Sequence, residues 1–482
     1  MKGISKASRL FLPAPVCRRD TRRDAPERKL LQISMNQNPR SAPTPLSDTQ
    51  SGRPRFTRAM RRTHTILLPM MLPLHFSMLK SILEQEGYRA ELLTNASRAV
   101  VDEGLKYVHN DTCYPALLVI GQFIDALKSG RYDTDRVAVA ITQTGGGCRA
   151  SNYIHLLRKA LTKAGFGHVP VLSMNLSGLE LNSGLRLTPK LLRKAISAVI
   201  YGDMLTLLRN HVQAYEVRKG AAAALTERWL AALTEQFQNK KGLRTADVRD
   251  NLRRMVTDFE QIPVDMTPKV RVGIVGEIYV KYSALANNGL EEFLTSQGCE
   301  VCVPGLLSFI LYCISNTETD RELYGGGFLR ARGGRLVMKY LIGRERLMLD
   351  ALKNHPRFTP PADFARLTKL ADQVIDRGVK MGEGWLLPAE MMELVSSGFP
   401  NIVCVQPFGC LPNHICGKGV MRTIKQQNPL ANIVAIDYDP GATKVNQENR
   451  IKLMLAVARE NLEAAMPQPD QSPEQEPTAM QA

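Results

Sequence analysis

Short apolar runs alternate with amphipathic helical stretches along most of this chain, and no other feature limits its fold as strongly. HTILLPM (64–70), Tyr88–Leu93, VAVAIT (137–142) and Val169–Met174 have the length and composition of buried strands. Leu74–Glu86, Ala116–Leu127 and Tyr153–Ala164 carry helical periodicity between them. A strand that returns after a helix pairs in parallel through a right-handed crossover, so 63–185 predicts a Rossmann-like sheet. A second series opens at Val270 with VRVGIVGEIYV as a strand, NNGLEEFLTSQG as a helix ended by Gly298, and CEVCVPG as the next strand. It resumes with Asn401–Gln406, a short helix near Val420–Lys425, Asn432–Asp437 and a final helix, Val445–Ala465. The stretch 186–265 is helical almost throughout. The expected fold class is therefore α/β, with two Rossmann-like parallel-sheet units (63–185 and 266–466) joined by a helical segment (186–265). The second unit carries a helical insertion at about 320–395.

A formal net charge of +17 would point to nucleic acid, but residues 1–63 hold fifteen Lys and Arg against four acids. The charge is therefore mostly in a leader (1–62) rich in Pro, Ser and Arg, whose composition predicts disorder, as does that of the tail, 467–482. Met35 and Met60 are alternative starts. Leu10–Val16, interrupted by Pro13 and Pro15, is too short for a signal-peptide core, and no run approaches the ~18 apolar residues of a membrane span. Nine cysteines without a secretion signal fit a reducing compartment, so the expected location is the cytoplasm and the expected use of thiols is as metal ligands or core residues.

Position sorts those cysteines. Cys113 lies in a polar loop just before a helix, Cys148 follows three glycines after a strand and precedes a helix, and Cys410 follows a strand through Pro407, Phe408 and Gly409. Ligands of open parallel sheets gather at the carboxyl ends of the strands, and helix N-termini there lower thiol pKa values. Three such thiols converge if the two units face each other. Cys299 and Cys302 spell C-x-x-C, but positions three apart on a strand point to opposite faces. Cys404 reads as core, Cys313 and Cys17 as bystanders. Cys416 is either a fourth ligand or a residue of the adjoining helix. Structural zinc usually takes four ligands in local pairs, which are missing here, so three thiolates favour an iron–sulfur cluster, [4Fe-4S] in type.

The segments NDTCYPALLVIGQFIDAL, TQTGGGCRASNYIHLLRKAL, VGIVGEIYVKY and QPFGCLPNH resemble the superfamily of 2-hydroxyacyl-CoA dehydratases and benzoyl-CoA reductases. The likeness spans about 63–465 and is nearest to the branch related to the C-terminal part of long acyl-CoA dehydratase activase proteins. The resemblance implies two Rossmann-like domains around a cubane-type cluster, with Cys113, Cys148 and Cys410 at the ligand positions. It also implies a homologous subunit and a separate activase that hydrolyses ATP to inject a low-potential electron. In such enzymes the reduced cluster donates to a CoA-thioester carbonyl, and the resulting ketyl radical expels a hydroxyl group. This chain contains no G-x-x-x-x-G-K-[ST], so the expected activase is another protein.

Other polar residues carry paired readings. Glu277 is a proton donor or ligand-orienting group, or else a helix cap. Asn110 and Asp111 shape the turn before Cys113. Arg149 and Lys281 meet CoA phosphates or are solvated charges. GGGFLRARGGRLVMKYLIGRERLM reads as a solvated or partner-docking helix, and its lack of interleaved aromatics argues against single-stranded nucleic acid. Three functions remain open: a cluster-bearing dehydratase or reductase component, a non-catalytic electron-transfer or partner subunit, and a Rossmann-like binding module without a cluster.

Overall fold

The apolar runs assemble into two four-stranded sheets, each wholly parallel. The first pairs β1 (Thr65–Pro69), β2 (Arg89–Leu93), β3 (Val137–Thr142) and β4 (Val171–Met174) in the order β2-β1-β3-β4. The second pairs β5 (Arg271–Gly276), β6 (Glu300–Cys302), β7 (Asn401–Pro407) and β8 (Asn432–Tyr438) in the order β6-β5-β7-β8. Both units thus share one topology, two Rossmann-like halves as expected. In each, the chain turns back between its two central strands, and such a switch point is where parallel sheets bind ligands. The computed structural model describes residues 53–109, 112–143, 147–174 and 188–466. The readings placed on the leader up to residue 52, on Asn110, Asp111, Gly145 and Gly146, and on the tail from 467 lie outside these residues. The described residues belong to one compact unit. Among the described residues, no helix is long and apolar enough to cross a membrane.

The helix Tyr114–Lys128 ties the two sheets together. Thirteen of its fifteen residues are buried, the mark of a helix enclosed on all sides. Ile120, Phe123 and Ile124 share a core cluster with Val139 of β3, Ile274 of β5 and Val405 of β7. One flank depends on glycine. A Cβ on Gly121 would lie 2.0 Å from the Val100 carbonyl oxygen, so this helix and Arg98–Tyr107 cross at backbone contact.

A second core is built mainly by helices. Leu205 of Pro189–Tyr215, Leu252 of Thr245–Glu260, Leu311 of Leu306–Tyr324 and Leu341 of Phe328–Leu352 pack in one cluster. The segment 186–265 and the insertion therefore share a hydrophobic interior, although strands β5 and β6 lie between them in sequence.

The structure departs from the sequence reading at three places. Helix Arg98–Tyr107 was expected as loop in its last turn and not anticipated before it; Val100 and Gly104 are buried, and Val101 and Tyr107 pack beside them on one short face. The expected strand VRVGIVGEIYV ends at Gly276, and Ile278–Tyr282 is helical. The ordered chain also begins ahead of residue 63: Phe56 is buried against Ile66, Leu68 and Tyr88, and Arg61 stacks 4.5 Å over the Tyr88 ring. Phe56→Ala should lower stability by about 3 kcal/mol, read as a drop in the urea midpoint.

Candidate functional site

Each of the three cysteines stands at the entry of a helical turn at the carboxyl end of a sheet. Cys113 is the N-cap of Tyr114–Lys128, with Pro115 in the first turn. Cys148 precedes the 3-10 turn Arg149–Asn152, which runs into helix Tyr153–Lys163. Cys410 follows β7 through Gly409, whose φ of +74° reverses the chain, and precedes the turn Leu411–Asn413. The N–H groups of Ala116, of Arg149 and Ala150, and of Asn413 favour the thiolate at Cys113, Cys148 and Cys410 respectively, though none closes a side-chain cap. Burial outweighs them. It pushes Cys113 and Cys410 up to about 12 and raises Cys148 as well.

A single carboxylate ties the three together. Glu277, at the end of β5, raises the thiol pKa of Cys113, of Cys148 and of Cys410 by its charge. Glu383 acts in the same way on Cys148 and Cys410, and Cys113 feels Cys410 directly. The loops are in contact as well. A Cβ on Gly147 would fall 2.4 Å from Met381 Sδ, and one on Gly382 would fall 3.1 Å from Pro412 Cβ. Arg149 Nη1 donates to the Thr112 carbonyl at 2.5 Å, which links the Cys148 turn to the Cys113 loop. Loops from both sheets thus meet around these residues.

Glu277 is a helix cap, its Oε2 accepting from Val280 N at 2.8 Å. Glu383 holds the opposite wall: Oε1 accepts from Ile278 N at 3.1 Å, and Oε2 accepts from Asn413 Nδ2 at 2.9 Å. The same Asn413 nitrogen lies 3.3 Å from Cys410 Sγ, while its Oδ1 is buried with no partner. Burial, and for Glu277 the neighbouring Glu383 charge, hold both carboxyls above the usual range, so this pair retains a proton where an isolated glutamate would be ionised. Tyr153 completes the set with its hydroxyl 2.9 Å from Cys113 Sγ.

Glu383, Asn413 and Tyr153 were not anticipated. For Glu383 a signal existed: it sits between Gly382 and Gly384, both at positive φ (61° and 44°), and a charged residue pinned by two such glycines is a placed residue. Lys281 requires a correction. It is neither solvated nor free to meet phosphate, because its side chain is 2 % exposed and its Nζ lies 3.1 Å from Glu390 Oε1. Its charge instead lowers the pKa of Glu277 and Glu383. Cys416 is buried with Leu387, Met391 and Ile424, and Cys404 lies in the same cluster. Cys299 is buried, Cys302 is partly so at the end of β6, and Cys313 is exposed. Among the described residues, no three His, Cys, Asp or Glu side chains close on one point at single-ion spacing. Corner thiolates of a cubane stand about 6–7 Å apart, wider than the ligands of one ion. The chain matches no protein-family model and no curated protein.

Proposed function

We propose that Cys113, Cys148 and Cys410 hold an iron–sulfur cluster of the [4Fe-4S] type, and that the chain is a cytoplasmic redox protein of the 2-hydroxyacyl-CoA dehydratase and benzoyl-CoA reductase kind. The observation that carries this reading is that the loops bearing the three thiols meet: Arg149 Nη1 reaches the Thr112 carbonyl, the Tyr153 hydroxyl reaches Cys113 Sγ, Gly147 lies against Met381, and Gly382 lies against Pro412 beside Cys410. The donor set suits the group. Three soft sulfurs, each at a helical entry, are buried enough to stay protonated on their own, and coordinated iron is what deprotonates such thiols. The cluster would supply one-electron chemistry at low potential, with an electron from a separate ATP-hydrolysing activase and a CoA thioester as substrate. A homologous subunit is the second expected partner. Met381, Phe408, Leu411 and Ile415, all exposed around the Cys410 loop, favour a protein partner there over open solvent.

The chain's own residues have distinct parts in this reading. The Glu277–Glu383 pair keeps a proton beside the sulfurs, ready for a leaving oxygen. Lys281 and Glu390 hold that pair's charge in balance from behind. Asn413 orients Cys410, and Tyr153 donates its O–H to Cys113 Sγ.

Anaerobic purification with iron and sulfide analysis tests the proposal. About four of each per chain are expected. Their absence, both as purified and after anaerobic reconstitution, would leave the binding-module reading in its place. Tyr153→Phe offers a finer check. A hydrogen bond to a ligand sulfur favours the reduced, more negative state, so its loss should move the reduction potential about 40 mV more negative, the equivalent of one net hydrogen bond in a one-electron couple. A redox titration that finds the potential unmoved would remove Tyr153 from the site.

A further inference from the structure

Helix Phe328–Leu352 carries two patterned faces. Ala331, Leu341, Glu345, Met348 and Leu352 are buried on the inner one, with Gly334 and Met338 between the first two. On the opposite side Leu329, Gly333, Leu336, Tyr340 and Gly343 recur at alternating steps of four and three, the repeat of a coiled-coil seam. This seam faces solvent. Leu329 is 81 % exposed, Leu336 73 % and Tyr340 37 %, and both glycines are exposed. It ends at Leu347, the next step of four, which packs on the helical core.

The glycines point the same way. Glycine inside a helix costs about 1 kcal/mol relative to alanine. At Gly334 the fold supplies a reason, since a Cβ there would lie 2.3 Å from Thr317 Oγ1 of helix Leu306–Tyr324. At Gly333 and Gly343 an added Cβ would meet nothing within 4 Å, so no contact among the described residues calls for glycine. A second helix packed closely on the seam would, because a missing Cβ deepens the hole that receives a partner's side chain.

The residues that flank the seam set the charge of that helix. Arg330, Arg332, Val337, Lys339 and Arg346 are exposed there, four bases and no acid. The sixth flanking position, Arg344, is buried against the Tyr340 ring. Arg335, off the seam, bonds Glu318 at 2.9 Å, but among the described residues none of the four flanking bases has a carboxylate partner. A second copy of this helix would set bases against bases, so the flanks select against self-pairing.

We propose that this face docks an amphipathic helix of another protein, one with an apolar heptad seam and glutamate or aspartate at its flanking positions. The surface stands on the seam, the two open glycines and the unanswered bases, and it does not depend on the iron–sulfur reading.

Isothermal titration of the full-length protein with a synthetic helix of about four heptads, Ile and Leu at its seam and Glu at every flanking position, tests it. Saturable binding of one peptide per chain is expected, with the same peptide carrying Lys at those positions at least about tenfold weaker. The double variant Arg332→Glu/Lys339→Glu should reverse the order of the two peptides, which bulk attraction between an acidic peptide and a chain of formal net charge +17 would not do. Leu336→Ser should weaken the Glu peptide about tenfold or more. Both proteins change only exposed side chains and should keep the wild-type iron content, and circular dichroism reports their folding. Where one does not fold, the comparison of the two peptides on the wild-type protein decides alone. Equal affinity for the two peptides, no saturable binding up to roughly 1 mM, or a folded Leu336→Ser protein that binds like the wild type would each overturn the proposal. So would flotation with phosphatidylserine–phosphatidylcholine vesicles that Leu336→Ser abolishes, which would give the face to a bilayer, or a dimer in sedimentation that the same change dissolves, which would give it to a second copy.

Discussion

Cys148→Ser, purified without oxygen, should retain less than about one iron per chain where the wild type carries about four. A serine hydroxyl is a hard, weakly acidic ligand, and iron in these clusters takes soft thiolates. The variant is informative because the rest of the site should persist: Cys148 caps only the short turn Arg149–Asn152, and its side chain makes no cap bond. Packed thiols should behave differently. Cys404 is fully buried in β7, so Cys404→Ser should keep its iron while costing roughly 1–3 kcal/mol for a hydroxyl without a partner. Cys416 discriminates between two kinds of redox protein. It is buried with Leu387, Met391 and Ile424, and full iron in Cys416→Ser would leave the fourth coordination position to a non-protein ligand and hence to substrate. Iron loss equal to that of Cys148→Ser would make the cluster fully protein-ligated and move the function to electron carrier. Equal iron in the wild type and all three variants would end the shared-site reading.

The parts of this molecule that were legible in its sequence are those set by local rules. Strand β3, Val137–Thr142, was read residue for residue because an apolar run bounded by polar residues has few alternatives once helices flank it. The placement of Cys113 at a helical entry was readable too, since Pro115 marks a first turn. What could not be read depends on contacts between distant segments. Helix Arg98–Tyr107 owes its place to the close approach of Gly104 and Gly121, a contact that its short stripe of Val100, Val101 and Tyr107 does not announce. Glu383 joins the site only because 276–278 and 410–413 pack on either side of it, and its partners Ile278 and Asn413 are 105 and 30 residues away. Lys281 was misread for a related reason: a lysine after a strand is usually solvated, and only the folded chain shows Glu390 waiting for it.

Gly276→Ala should be the most damaging change at the site that touches no ligand. Gly276 has φ of +146°, a backbone state that side chains rarely adopt, and an added Cβ would lie 1.8 Å from the Val405 carbonyl oxygen and 2.7 Å from Val405 Cγ2. Gly276 and Val405 are register partners of β5 and β7, and the same carbonyl accepts the Glu277 N–H at 3.1 Å. The alanine variant must therefore part the two central strands of the second sheet just where Glu277 and the Cys410 loop leave them. The expected cost is about 4 kcal/mol or more, a large share of the roughly 5–15 kcal/mol that holds a domain folded. Iron should be lost with it, although all three cysteines remain. Gly273→Ala on the same strand is the control. Its Cβ would meet Leu394 Cδ1 at 2.6 Å, the movable end of a side chain, and its backbone is in an ordinary conformation. It should cost only about 1–2 kcal/mol and keep its iron. Urea midpoints and iron content of the two variants, measured side by side, check the argument; equal losses at 273 and 276 would show that the close approach of β5 to β7 is not what positions the site.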